Sequence, residues 1–170
     1  MKILVTGGAG FIGSHTVDAL ITQGFDVRIL DSLEKPVHLK GKPSYLNPKA
    51  EFILGDVRDK NVMAKALEDV QAVFHLAAYQ DYMTDFSKFF HVNSVGTALI
   101  YELIVENKLP VRKVVAASSQ AVYGEGKYYC GKDGIQYPDI RPENQLRAGE
   151  WDVKCPVCGD KMKWQATDES

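Results

Sequence analysis

Five short apolar runs, KILVTG, DVRILD, EFILGD, AVFHLAA and KVVAASS, recur between helix-like stretches over roughly the first 120 residues. Their near-continuous Val, Ile, Leu and Phe content is the pattern of strands buried on both faces. Between them, Ile12, Thr16, Ala19 and Leu20 are spaced to share one helix face, and so are Val62, Met63, Ala66 and Leu67. A longer helical stretch from about Thr84 to Glu106 carries Phe89, Asn93, Gly96 and Ile100 along one stripe. Strand and helix alternating with short connections means an α/β fold, a parallel sheet wound with helices on both sides. The expected strand order is 3-2-1-4-5.

After Gly124 the texture changes to Gly, Pro, Tyr, Trp and scattered charge, with neither helical nor strand periodicity. Residues 32–50, with three prolines, read as a similar irregular loop. At 170 residues, 45% hydrophobic and 25% charged, the chain has one domain's worth of sequence and can bury a core. Its 20 basic and 22 acidic residues leave a formal charge of −2 without long like-charge blocks, which favours neither nucleic acid nor a membrane surface as partner. The opening MKILVTGGAG holds too brief an apolar run for a signal-peptide core or a membrane span, so a cytoplasmic location is expected. All three cysteines, Cys130, Cys155 and Cys158, fall in the last quarter. An odd number argues against a disulfide framework and leaves metal binding or free thiols.

VTGGAGFIG places Gly7, Gly10 and Gly13 between the first strand and the first helix. Glycines at that junction serve a tight turn, close approach of backbone to a pyrophosphate, and close packing of helix on strand. The helix start then offers free N–H groups to phosphates. Asp31 ends the second strand, where its carboxylate is placed to accept from the adenosine ribose hydroxyls and to repel a 2′-phosphate, favouring NAD over NADP. Asp56 closes the third strand, at the adenine edge, and either it or Asp59 caps the following helix. Small Ala77 and Ala78 after the fourth strand either let a cofactor lie against the backbone or simply pack in the core. His75 reads as a core histidine.

With TGGAGFIG, Asp31, GDVRD, HLAA, Asn93 and SSQAVYG in this order, residues 1–124 resemble the extended short-chain dehydrogenase/reductase family, with its sugar-nucleotide epimerases and dehydratases nearest. The tail also resembles a dTDP-L-rhamnose 4-epimerase-like subgroup that carries a cysteine-bearing insertion of the form YGEG…C…CPxCG…TDE. The resemblance implies a Rossmann-type doubly wound sheet, incomplete at about five strands. It implies NAD contacts at Gly7, Gly10, Phe11, Ile12, Gly13, Asp31, Ser32, Asp56, Val57, Leu76, Ala77, Ala78, Asn93 and Ser118, with Ser119 as the catalytic serine. It also implies a homodimer in the intact enzyme, paired through the long helix containing Asn93, whose apolar residues include Phe86, Phe90, Leu99 and Leu103.

The family's tyrosine and lysine sit one helical turn apart, the lysine lowering the tyrosine's pKa so that a phenolate takes the alcohol proton. Tyr123 and Lys127 have that spacing, but Gly124-Glu125-Gly126 between them argues against a helix. Tyr128 with Lys132 and Tyr45 with Lys49 also fall in turn-like sequence, so all three pairs read as decoys. The chain then resembles the N-terminal part of a longer enzyme, with residues 1–124 an NAD-binding domain, 125–170 an insertion, and the catalytic helix and sugar-binding domain expected beyond. The implied chemistry is transient oxidation of a nucleotide sugar at C4 and return of the hydride to the other face. A dehydratase is disfavoured by Gln120-Ala121, where family dehydratases carry Asp-Glu. A dinucleotide-binding regulatory module without turnover is the non-enzyme alternative.

CPVCG is a Cys-x-x-Cys-Gly knuckle whose thiolates, Cys155 and Cys158, suit one side of a tetrahedral zinc. Upstream, Cys130 and Asp133 have knuckle spacing with an aspartate in place of a second cysteine. The sequence leaves two readings, a structural zinc on three thiolates and one carboxylate or a metal-free loop.

Overall fold

The computed structural model describes residues 1–35, 37–80 and 84–168, so that Pro36 of the proline-containing loop lies outside the described residues. The chain divides into two compact units, Met1–Ala117 and Ser118–Ser170.

In the first unit the elements are β1 (Lys2–Thr6), α1 (Phe11–Thr22), β2 (Asp26–Asp31), β3 (Glu51–Leu54), α2 (Lys60–Ala66), β4 (Ala72–His75), α3 (Phe86–Phe89), a π-helical segment Phe90–Val95, α4 (Gly96–Glu106) and β5 (Lys113–Ala116). The five strands form one parallel sheet in the order β3-β2-β1-β4-β5, the expected doubly wound α/β arrangement. Successive side chains of a strand face opposite sides, and the core divides accordingly. Leu4, Leu30 and Val73 join Met63 and Leu67 by α2 and Ile100 of α4 in one cluster, while Val5 and Ile29 join Val17 of α1 and Leu46 in another. Central β1 and β2 are almost wholly buried, and β3 and β5 at the edges are partly exposed.

Asp59 caps α2, accepting from the N–H groups of Asn61 at 2.9 Å and Val62 at 3.2 Å, so it and not Asp56 fills that role. At the other end of α2 the buried Arg28 guanidinium donates to the carbonyls of Ala66 and Glu68, satisfying acceptors that a helix C-terminus leaves open. The inward face of α1 differs from the sequence expectation. Gly13, Ser14 and Val17 are buried, whereas Ile12 and Ala19 are exposed. Backbone contact at Gly13 fixes the rotation of the helix, and hydrophobic periodicity does not register a glycine. The long helix expected from about Thr84 is interrupted by the wider turn at Phe90–Val95.

In the second unit β6 (Tyr128–Cys130) and β7 (Gly134–Gln136) form an antiparallel hairpin, β8 (Lys163–Trp164) pairs with the other edge of β6, and α5 spans Glu143–Arg147. Strands of two or three residues are too short to display a period, which is why the sequence reads as irregular there. The buried core consists of Cys130, Val153, Cys155 and Met162, with Tyr128 packed against it. Among the described residues, no helix is long and apolar enough to cross a membrane.

Candidate functional site

A cleft of about 300 Å³ opens at the C-terminal ends of the parallel strands, where the turn after β1 faces the segment after β4. The connections from β1 and β4 run to opposite sides of the sheet there, which leaves a crevice for a ligand. Gly7, Gly10, Asp31, Ser32, Asp56, Val57, Leu76, Ala77 and Ala78 line it, nine of the residues singled out from sequence.

Gly7 has φ +67°, and a Cβ there would lie 2.7 Å from the Ala77 nitrogen. Only glycine lets the two loops approach so closely. Gly13 stands behind the turn: a Cβ on it would lie 2.1 Å from the Gly7 carbonyl oxygen. The Asp31 carboxylate accepts from Ala9 N–H at 3.0 Å and Leu33 N–H at 2.9 Å, fastening the glycine turn to the end of β2. Tyr45 closes the back of the same turn by donating its hydroxyl to the Ala9 carbonyl at 2.7 Å. Asp56 is gripped by Arg58, whose Nε and Nη2 donate to the two carboxylate oxygens, and these bonds hold the carboxyl below its ordinary range.

Lys35, His38 and Tyr79 also line the cleft, and sequence reasoning missed them. Lys35 and His38 sit in the irregular loop after β2, where no period marks which side chains turn inward. His38 Nε2 lies 3.8 Å from Asp31 Oδ1. Tyr79 directly follows HLAA and was within reach of that motif. Phe11 and Ile12 are exposed at 80% and 69% and are not among the lining residues. Asn93 lies beside the cleft wall, its Oδ1 accepting from Tyr79 N–H at 2.8 Å and its Nδ2 donating to Tyr79 O at 2.9 Å.

His75 is buried under this wall. The Thr97 hydroxyl donates its one proton to Asn93 O at 2.7 Å, so it must accept from His75 Nε2–H at 2.9 Å. Nδ1 then accepts from the Thr6 hydroxyl at 2.7 Å. The ring is a neutral tautomer with both nitrogens used, and burial pushes its pKa down. The unfolded chain takes up this proton near pH ~6.5 while the folded one refuses it. Stability of the first unit is therefore full above that pH and declines as pH falls from about 6.5 to the lowered folded value. Urea midpoints should fall between pH 8 and pH 5.5, and the part due to this ring should vanish in His75→Gln. Equal slopes in the two proteins would refute the assignment.

The residues of the cleft fit a dinucleotide. Backbone at Gly7 and Gly10 is open to a pyrophosphate, α1 points its N-terminus at the turn, and an acidic side chain stands at the end of β2.

Ser118 and Ser119 begin the second unit, and the Ser119 hydroxyl accepts from Ala121 N–H at 3.1 Å to start the single turn Gln120–Tyr123. Tyr123 and Lys127 are separated by Gly124 at φ +59° and Gly126 at φ +89°, and Lys127 pairs with Asp168 at 3.1 Å. Tyr128 lies on β6 with Lys132 in the turn after it, and Tyr45 and Lys49 lie between β2 and β3. None of these three pairs shares an α-helix.

Cys130 at the end of β6, Asp133 in the hairpin turn, and Cys155 and Cys158 in the knuckle converge so that their ligand atoms all lie within 4.8 Å of one another. Asp133 Oδ2 is 3.3 Å from both Cys130 Sγ and Cys155 Sγ, and Cys130 Sγ is 3.5 Å from Cys158 Sγ. Hydrogen bonding to Asp133 pushes the Cys158 thiol up to about 12.

Residues 3–145 match the NAD dependent epimerase/dehydratase family. The chain is 37% identical over 157 residues to a dTDP-L-rhamnose 4-epimerase of Burkholderia thailandensis, a match covering 89% of this chain and 43% of that protein. It is 44% identical over 131 residues to a putative UDP-glucose 4-epimerase of Methanocaldococcus jannaschii, covering 74% of this chain and 41% of the relative. Among solved structures it resembles the Thermus thermophilus UDP-glucose 4-epimerase complex with NAD, at TM-score 0.61 and 31% identity, over 88% of this chain and 47% of that one. The chain thus spans less than half the length of these relatives.

Proposed function

The chain belongs to the NAD dependent epimerase/dehydratase family, and on that premise we propose that it is the NAD-binding part of a nucleotide-sugar 4-epimerase. The observation that carries this reading is the cleft in which the Gly7 turn meets the Ala77 segment with the Asp31 carboxylate at its edge. In it, residues 1–124 are the cofactor domain. Gly7, Gly10 and the start of α1, with Phe11, Ile12 and Gly13, receive the pyrophosphate. Asp31 and Ser32 take the adenosine ribose, and Asp56 and Val57 border the adenine. Leu76, Ala77 and Ala78 border the nicotinamide half, with Asn93 and Ser118 assigned there by the family pattern, and Ser119 holds the reacting sugar oxygen. NAD, when bound, supplies reversible two-electron oxidation at the sugar C4. The sugar passes through a flat 4-keto form and is reduced on its other face.

The pairing surface for a homodimer in this reading is the helix after β4, where Phe86 and Phe90 are exposed at 67% and 68%. Residues 125–170 are an insertion, and zinc is the ion proposed for Cys130, Asp133, Cys155 and Cys158. Three unpaired thiols suit a reducing, cytoplasmic setting. A module that binds NAD without turnover is the second reading, favoured for this 170-residue polypeptide because none of the three tyrosine and lysine pairs shares an α-helix.

Calorimetric titration and an epimerisation assay on the 170-residue protein test both parts. The expected result is one NAD per chain, weaker NADP, and no interconversion of UDP-glucose or dTDP-L-rhamnose. Failure to bind NAD, or tighter NADP, overturns the cofactor assignment. Turnover that disappears in Tyr123→Phe would restore that tyrosine as the base.

A further inference from the structure

The second unit has a core unlike that of an ordinary domain. Its described buried hydrophobic residues are Cys130, Val153, Cys155 and Met162, so half of that core is cysteines of the one cluster. About fifty residues organised around two non-cysteine side chains are far below the apolar burial that domains of this size need, and small natural folds make up the difference with disulfides or a metal. A disulfide is not what the sulfurs form here. Cys130 Sγ and Cys158 Sγ are 3.5 Å apart, well beyond the roughly 2.05 Å of a bond, and all three cysteines are free.

Three of the six separations between ligand atoms approach those around a tetrahedral cation instead, and all six are within 4.8 Å. With Zn–S near 2.3 Å and Zn–O near 2.0 Å, the edges of a tetrahedral site are about 3.5 to 3.8 Å. The three observed separations, 3.3, 3.3 and 3.5 Å, lie within a few tenths of an ångström of those edges. The ligands come in two pairs from two tight turns. The β6–β7 turn ends at Gly134 with φ +74°, and the knuckle ends at Gly159 with φ +76°. In the knuckle, Cys155 N–H donates to Asp160 O at 2.8 Å, Gly159 N–H donates to Cys155 O at 2.9 Å, and Val157 N–H points at Cys155 Sγ from 3.4 Å. The four ligands leave no open coordination position, so the ion's work is structural.

Resting on the reading of this cluster as a zinc site, we infer that one zinc ion folds residues 118–170 and that Met1–Ala117 keeps its fold without it. The metal joins β6 to the knuckle and takes the place that an apolar core fills in the first unit. Both tryptophans, Trp151 and Trp164, lie in the second unit, and Trp164 pairs with Tyr128 across β8 and β6. Their fluorescence anisotropy therefore reports on that unit alone.

The test uses the 170-residue protein, purified without added metal or a metal-binding tag, then given zinc sulfate or stripped with a high-affinity chelator. Elemental analysis counts zinc, and amide hydrogen exchange is followed peptide by peptide. The expected result is one zinc per chain. Chelation should raise exchange across residues 128–164 at least tenfold and lower tryptophan anisotropy, with exchange in β1, β2 and β4 unchanged and full recovery on zinc readdition. Zinc bound at one per chain with exchange unchanged after its removal overturns the coupling while leaving the zinc reading intact. Protection of β6–β8 in protein that takes up no zinc at all defeats both. Cys155→Ser should lose zinc and protection together, and Asp133→Cys should hold zinc at least tenfold more tightly in chelator competition. Retention of both zinc and protection in Cys155→Ser would also overturn the proposal.

Discussion

Gly13→Ala is expected to destabilise the first unit by about 3–4 kcal/mol and to abolish NAD binding. The new Cβ would stand 2.1 Å from the Gly7 carbonyl oxygen and 2.7 Å from Gly8 Cα. Both obstacles are backbone, so no side chain can rotate away and α1 has to lift from β1. The gain of up to about 1 kcal/mol from replacing a helical glycine offsets only part of this. Gly10→Ala is the control. Its Cβ meets only Gly7 O, at 3.3 Å, so the protein should stay folded while the methyl group obstructs the pyrophosphate. Urea denaturation followed by circular dichroism measures the first effect and calorimetry the second. A loss below about 1 kcal/mol for Gly13→Ala would show that the helix can shift, contrary to the packing described.

Asp31→Ala carries the second large effect. The carboxylate accepts two backbone N–H groups, from Ala9 and Leu33, and charge-assisted bonds of this kind contribute about 1.5–3 kcal/mol each. Removing it loosens the glycine turn and deletes the proposed acceptor for the ribose hydroxyls. NAD affinity should fall by roughly ten- to a hundredfold, equivalent to about 1.4–2.8 kcal/mol. NADP affinity should fall less, because repulsion of a 2′-phosphate is lost at the same time. The discrimination between the two cofactors therefore narrows. Equal losses for both would mean that Asp31 acts only by bracing the turn. Asp31→Asn separates the contributions, since the amide oxygen still accepts one N–H group while the charge is gone.

The sheet order and most of the cleft are legible in the sequence because each rests on a local pattern. Apolar runs such as KILVTG declare buried strands, and Gly7, Asp31 and Ala77 sit at strand ends that the winding brings together. What failed depended on backbone detail. The inward face of α1 is set by the absence of a side chain at Gly13, and periodicity weights Ile12 instead. In the helix after β4, the wider turn at Phe90–Val95 changes the angular phase between Phe86 and Gly96. A single 3.6-residue wheel therefore scatters the apolar residues over more than one face. Lys35 and His38 enter the cleft from a loop without a period. The members of the cysteine and aspartate cluster were legible from two spacings, CPVCG and Cys130 with Asp133, whereas their convergence depends on the hairpin that brings the two pairs together.

The hydrogen bonds around His75 form one continuous thread with a fixed polarity. Thr6 donates to His75, His75 to Thr97, Thr97 to Asn93, and the Asn93 amide closes a two-bond ring on Tyr79. Thr6 also receives the N–H of Ala77 at 3.2 Å. The floor of the cleft at Ala77 and its rim at Tyr79 are thus tied to opposite ends of a single thread, with strand, helix and loop each holding one knot. A substitution that breaks the thread in its middle, such as Thr97→Val, is therefore expected to loosen both floor and rim.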